Sequence, residues 1–141
     1  MKIAYLIALM LFLISGCNDT VTSHYATRDE AEADHLFGRG WLPSLLPNSA
    51  SDITTSNELD INISEGSFQY DPKETNIFLK QLKPFSGQEL PIRGWKSNIS
   101  KKKNDGYDAF EYSNNMSIWV FLVNNGTGHV QYMMWLKRNG S

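Results

Sequence analysis

The chain has 141 residues, a formal net charge of −2 and one cysteine. That length suits one ordinary domain, and a single cysteine excludes a disulfide scaffold, so packing alone must hold the fold. The near-neutral balance excludes a globally basic nucleic-acid binder. The charge is nevertheless polarised: residues 19–65 carry nine acids against Arg28 and Arg39, and residues 66–141 carry six acids against ten Lys or Arg. Such asymmetry either steers a partner or sets two solvated faces against each other within the fold.

The chain begins with a cationic residue, Lys2, followed by twelve uncharged residues at 3–14. A membrane-spanning helix needs about 20 apolar residues. Twelve matches the apolar core of a secretory leader, which ends in small residues, here Ser15 and Gly16. Ile14-Ser15-Gly16-Cys17 resembles the lipobox of bacterial lipoproteins. The resemblance implies cleavage after Gly16, a diacylglycerol on the Cys17 thiol and a fatty acid such as palmitate on the new amine. One acyl chain binds a membrane only marginally and reversibly, whereas two or more hold it firmly. The expected layout is a leader at 1–16, a lipid-anchored tether at 17–23 and one domain at 24–141. The resemblance also implies a membrane-held protein on the periplasmic side. The outer membrane is favoured over the inner because Asn18, not Asp, follows Cys17.

In chain order, His24-Tyr25-Ala26 reads as a short strand. Thr27 and Glu30 form a capping box that opens a helix running to about Phe37, with Ala33, Leu36 and Phe37 inward and Gly38 as its cap. Pro43 and Pro47 exclude a long helix in the next stretch. The order Tyr25-Ala26-Thr27, Glu30-Ala31-Glu32-Ala33-Asp34, Arg39-Gly40-Trp41-Leu42-Pro43, Leu46-Pro47, Ser49-Ala50 and Asp52-Ile53 resembles a family of small bacterial proteins, many of them lipoproteins, with a YbbD-type head domain. That likeness covers about residues 24–80. It implies a fold unit and a compartment, and no activity.

Further on, Leu59, Ile61 and Ile63 alternate with polar residues, as do Phe68 and Tyr70, which predicts a hairpin turning at Ser64-Glu65-Gly66-Ser67. Asp71-Pro72-Lys73-Glu74 is a helix start, with Ile77, Phe78 and Leu82 facing inward. Residues 84–105 show no periodicity. Tyr107 to Tyr112 reads as a strand. The next segment is apolar on both faces, with Val120 and Leu122 on one and Trp119, Phe121 and Val123 on the other, so it is a doubly covered central strand. Asn124-Asn125-Gly126-Thr127-Gly128 is a hairpin loop, and Val130, Tyr132, Met134 and Leu136 share one face of the return strand. The fold expected is α+β: an antiparallel sheet with two helices packed on one face, in a single small domain.

No residue set reaches a catalytic assignment. His24, His35 and His129 have no metal-ligand spacing among them, so no metal and no cofactor is expected. Serines lack a nucleophile-elbow motif. The acids Asp60, Glu65 and Asp71 support one alternative, a small cell-wall-active hydrolase using paired carboxylates. Lys101, Lys102 and Lys103 lie near Trp95 and Tyr107, but an exported chain does not point to nucleic acid; lipid headgroups or an anionic envelope polymer fit better. Arg39, Trp41, Arg93 and Trp95 are the binding candidates, because each Trp follows Arg-Gly and both residue types are enriched at interface hot spots. The competing reading is that the two indoles fill the core. The functional expectation is a lipid-anchored envelope protein acting as a binding module, of inhibitor or immunity type, not an enzyme. Its partners would be the membrane through Cys17 and an envelope protein or polymer.

Overall fold

The structure is a computed structural model and describes residues 19–138. The leader, Cys17 and Asn18 lie outside the described residues. In chain order the elements are β1 (Thr20–Thr27), α1 (Arg28–Ala33), β2 (Ser51–Glu58), β3 (Ile63–Gln69), a single 3₁₀ turn (Pro72–Glu74), α2 (Thr75–Leu79), β4 (Lys83–Pro84), α3 (Trp95–Asn104), β5 (Asp108–Ser113), β6 (Ser117–Asn124) and β7 (His129–Leu136). The strands form one seven-stranded sheet in the order β1-β2-β3-β7-β6-β5-β4, and every neighbouring pair is antiparallel.

The expectation of two helices packed on one face of a sheet is overturned. The fold is dominated by its sheet, and its helices are three short ones of six, five and ten residues. They also divide between the faces. One face carries the larger core: Tyr25, Ile53, Phe68, Trp119, Phe121, Val130, Tyr132 and Met134 under Ala31 of α1, the 36–50 segment and Phe78 of α2. The other face holds Val120, Leu122 and Met133 under Trp95 and Ile99 of α3. Strand β6 is therefore buried on both sides, as its uninterrupted apolar run requires.

Local chemistry explains where the elements start and where they depart from expectation. The Thr27 side chain accepts from the Glu30 N–H at 3.3 Å and caps α1, while the Glu30 carboxylate reaches back to the Ala26 N–H at 2.7 Å. The helix stops at Ala33, earlier than Phe37, and its buried residue is Ala31 rather than Ala33. Asp71 caps the 3₁₀ turn by accepting from the Lys73 N–H. Phe78 and Leu82 are buried, but Ile77 is exposed.

The hairpin is real but displaced. It joins β2 to β3 and turns at residues 59–62, so Ser64, Glu65, Gly66 and Ser67 are strand, not turn. Leu59 and Ile61 are exposed. The buried positions of β2 are Ile53, Thr55 and Asn57, two of them polar, which is why apolar alternation misplaced the strand. Ser64 Oγ donates to Asn57 Oδ1 at 2.6 Å and so satisfies that buried pair.

Candidate interaction surface

The two Arg-Gly-Trp tripeptides do not come together. Gly40 and Gly94 both take left-handed backbone, with φ of 81° and 90°, a conformation glycine adopts without a Cβ penalty. Each glycine thereby swings its tryptophan toward the sheet, but onto opposite faces. Trp41 is half-buried against the larger core. Trp95 is buried in the smaller one, and its indole N–H donates to the Glu65 carboxylate of β3. Arg39 is exposed and tied to its own loop, donating to the Asp34 carbonyl at 2.9 Å. Arg93 is exposed. Trp95 is thus a core residue, and the four candidates do not form one surface.

The acids of the hydrolase alternative are also dispersed. Asp60 sits in the β2–β3 turn, Glu65 is engaged by Trp95, and Asp71 caps the 3₁₀ turn beyond the far end of β3. A seven-residue strand separates the first from the last, about 20 Å at its usual rise, well beyond the spacing of a carboxylate pair. Among the described residues no group of three or more His, Cys, Asp or Glu is arranged to hold a metal ion. Each histidine has a local role or lies on the surface. His24 Nε2 lies 2.6 Å from Asp52 Oδ1 on the surface. His129 Nδ1 is 2.9 Å from the Tyr107 hydroxyl, and burial, with Lys102 nearby, holds its imidazole below its ordinary pKa. His35 is exposed.

The lysine run lies on a helix that the sequence did not reveal. Lys101, Lys102 and Lys103 form the last turn of α3, where cations suit the helix dipole. Lys102 Nζ sits 4.8 Å from the centroid of the Tyr107 ring. Tyr25, likewise, is buried and donates its hydroxyl to the Asp34 carboxylate; burial first, then that carboxylate, pushes its pKa up.

The concave surface lies elsewhere, beside the short strand β4. A cleft of about 260 Å³ is lined by Gln81, Lys83, Gln88, Glu111, Tyr112, Ser113 and Ile118. A second, of about 210 Å³, runs along Ser44, Leu45, Pro47, Glu74, Ile77 and Phe78, and also reaches Gln81. Gln81, just beyond the end of α2, is the common wall, so the two clefts form one broken groove, with the exposed Ile77 along the second. Strand β4 pairs with β5 only through Lys83–Glu111 and Pro84–Phe110. Beyond Glu111 no described strand covers the outer side of β5. Phe85 N donates to Ala109 O on that side, and Asn114 N donates to Ser117 O on the β6 side. Antiparallel alternation therefore turns the Ser113 N–H and C=O outward. Sequence reasoning missed this site because two residues of β4 carry no strand periodicity. The one available signal was Pro84, a residue that suits the edge of a sheet.

Fold and surface together define a sheet-dominated module with two edges among the described residues: β1, which pairs only with β2, and β5 beyond the short β4, where the groove lies. Residues 19–69 match the family model described as the YbbD head domain, which supports the head-domain likeness drawn from Arg39-Gly40-Trp41 and its neighbours. The match spans β1, α1, β2 and β3; it takes in the Ser44–Pro47 wall of the second cleft and leaves the first cleft and the lysine helix outside it. No curated protein and no solved structure matches the chain. Among the described residues, no helix is long and apolar enough to cross a membrane.

Proposed function

We propose that this chain is a lipid-anchored protein of the bacterial envelope, held by acylated Cys17 on the periplasmic side, and that it works as a binding module for an envelope protein. The lipobox sequence Ile14-Ser15-Gly16-Cys17 supports the anchor. The observation that carries the binding reading is the open edge of β5 beside the groove. An extended segment of a partner pairs there with Ser113 through its main chain, and its side chains enter the cleft between Lys83, Gln88 and Tyr112. This is strand addition to an exposed sheet edge, in which main-chain bonds give affinity and pockets give specificity.

A photo-crosslinking residue placed at Gln88 in the full chain, in living cells, tests this. The expected result is a discrete adduct at Gln88 that is absent when the probe is at Lys101 on α3. Ser113→Pro should weaken the adduct, because it removes an outward donor without touching the β6 ladder. Adducts of equal yield at both positions, or one indifferent to Ser113→Pro, would refute the edge as the binding site.

A further inference from the structure

Six large apolar side chains are markedly exposed among the described residues: Val21, Leu59, Ile61, Ile77, Met116 and Leu136. Strand register places five of them at one end of the sheet. Thr20 at the start of β1 faces Glu58 at the end of β2, so Val21 lies beside the 59–62 turn that carries Leu59 and Ile61. Glu58 faces Ile63, and Ile63 faces Trp135 near the end of β7. Leu136 faces Ser117 at the start of β6, and Lys137 N donates to Met116 O at 2.8 Å. Only Ile77, on α2 beside the groove, lies away from this end.

The chain enters the fold at the same end. Asp19 O accepts from Leu59 N at 3.2 Å, and Cys17 precedes Asp19 by two residues, a covalent span of at most about 7 Å. The geometry points to a second membrane contact. The apolar rim of Leu59, Ile61, Met116 and Leu136 rests on the bilayer surface into which the Cys17 lipid inserts, and fixes the domain's orientation there. This inference rests on the lipid-anchor reading above.

The rim's charge selects the kind of lipid contact. Asp19, Glu58 and Asp60 lie at this end alongside Lys137 and Arg138, so it is not a basic patch seeking anionic headgroups. The contact is apolar, with side chains entering the boundary between headgroups and acyl chains of neutral lipid. Residues carried on two turns and a strand end suit that role, because their backbone groups stay in water. Burying apolar area beside an acyl anchor adds a second signal to the first. One consequence follows for the groove: with this end down, the domain cannot roll freely about its tether, and the β5 edge keeps a constant aspect to the membrane.

The test uses the full chain reconstituted in phosphatidylcholine vesicles, with a bimane probe on Ile61→Cys, Met116→Cys or Ile77→Cys. Nitroxide-bearing lipid serves as the quencher. All three positions are exposed, so labelling does not disturb the core. Flotation with vesicles, together with failure of the wild-type chain to react with a thiol reagent, reports the anchor by itself. The expected result is quenching at least twofold stronger at Ile61→Cys and Met116→Cys than at Ile77→Cys. If the chain floats but the three probes are quenched alike, the rim contact is overturned and the anchor stands. If the chain does not float, both fall. Shielding at Ile61→Cys that rises with protein concentration and ignores lipid would assign the rim to a second copy of the chain, and overturn the inference.

Discussion

The Tyr132 ring occupies the space where a side chain at Gly66 would begin. A Cβ built on Gly66 would lie 2.8 Å from both Cε1 and the hydroxyl of Tyr132, and closer still to the Thr54 carbonyl. The two residues face each other across β3 and β7. Tyr132 is fully buried, which pushes its hydroxyl pKa far up, and that hydroxyl lies 3.4 Å from Ser64 Oγ. An absent side chain in the middle of one strand thus makes room for a fully buried tyrosine in the core.

Gly66→Ala should therefore destabilise the fold by about 1–3 kcal/mol, the range for overpacking a filled interior. It does so although alanine by itself favours folding through the unfolded state. Tyr132→Phe should not rescue it, because the Thr54 backbone still blocks the position. Urea denaturation of the two single variants and the double variant reads this out. Full recovery in the double variant would mean that the hydroxyl alone sets the constraint.

Trp95 and Trp41 should separate on alanine substitution. Trp95 fills the core beneath α3 and satisfies its N–H at Glu65, so Trp95→Ala should cost about 3–5 kcal/mol. Trp95→Phe should still cost stability, since the Glu65 carboxylate loses its donor. Trp41 keeps part of its ring in solvent, and Trp41→Ala should cost clearly less. Thermal melts give the ranking, and the reverse order would return Trp95 to the surface.

His129 should make stability depend on pH below neutrality. Its imidazole titrates lower in the folded chain than in the unfolded one, because burial and then the Lys102 charge disfavour the cation. Above the ordinary value of about 6.5 it is neutral in both states, and its contribution is fully present. As pH falls below that value the unfolded chain takes up the proton first, so stability is lost down to the folded pKa. His129→Gln should flatten the stability profile just below about pH 6.5. An unchanged slope there would show that the proton is taken up equally in both states.

The parts of the fold legible in the sequence were those where burial follows side-chain type. Trp119 through Val123 announced a doubly covered strand, and Val130, Tyr132 and Met134 its one-faced neighbour. Thr27 with Glu30, and Asp71 with Pro72, announced helix starts because capping is local chemistry. The rest failed for identifiable reasons. Thr55, Asn57 and Ser64 are buried polar residues, so β2 shows no apolar alternation and the expected hairpin falls toward Leu59 and Ile61. Helix α3 offers only Trp95 and Ile99 to its core and is otherwise lysine, serine and asparagine, too few apolar positions for a periodic signal. The groove beside β4 was illegible because it depends on where a two-residue strand stops.

In the proposed function, lipid on Cys17 holds the module at the membrane. The direct measurement is fractionation of cells making the full chain or its Cys17→Ser variant, with the mass of the mature protein determined. The wild-type chain is expected to sediment with membranes, carry acyl mass and lack residues 1–16. Cys17→Ser is expected either to appear in the soluble periplasmic fraction or to keep its leader uncut. A Cys17→Ser protein that is cleaved after Gly16 and still sediments fully with membranes would contradict the lipid anchor.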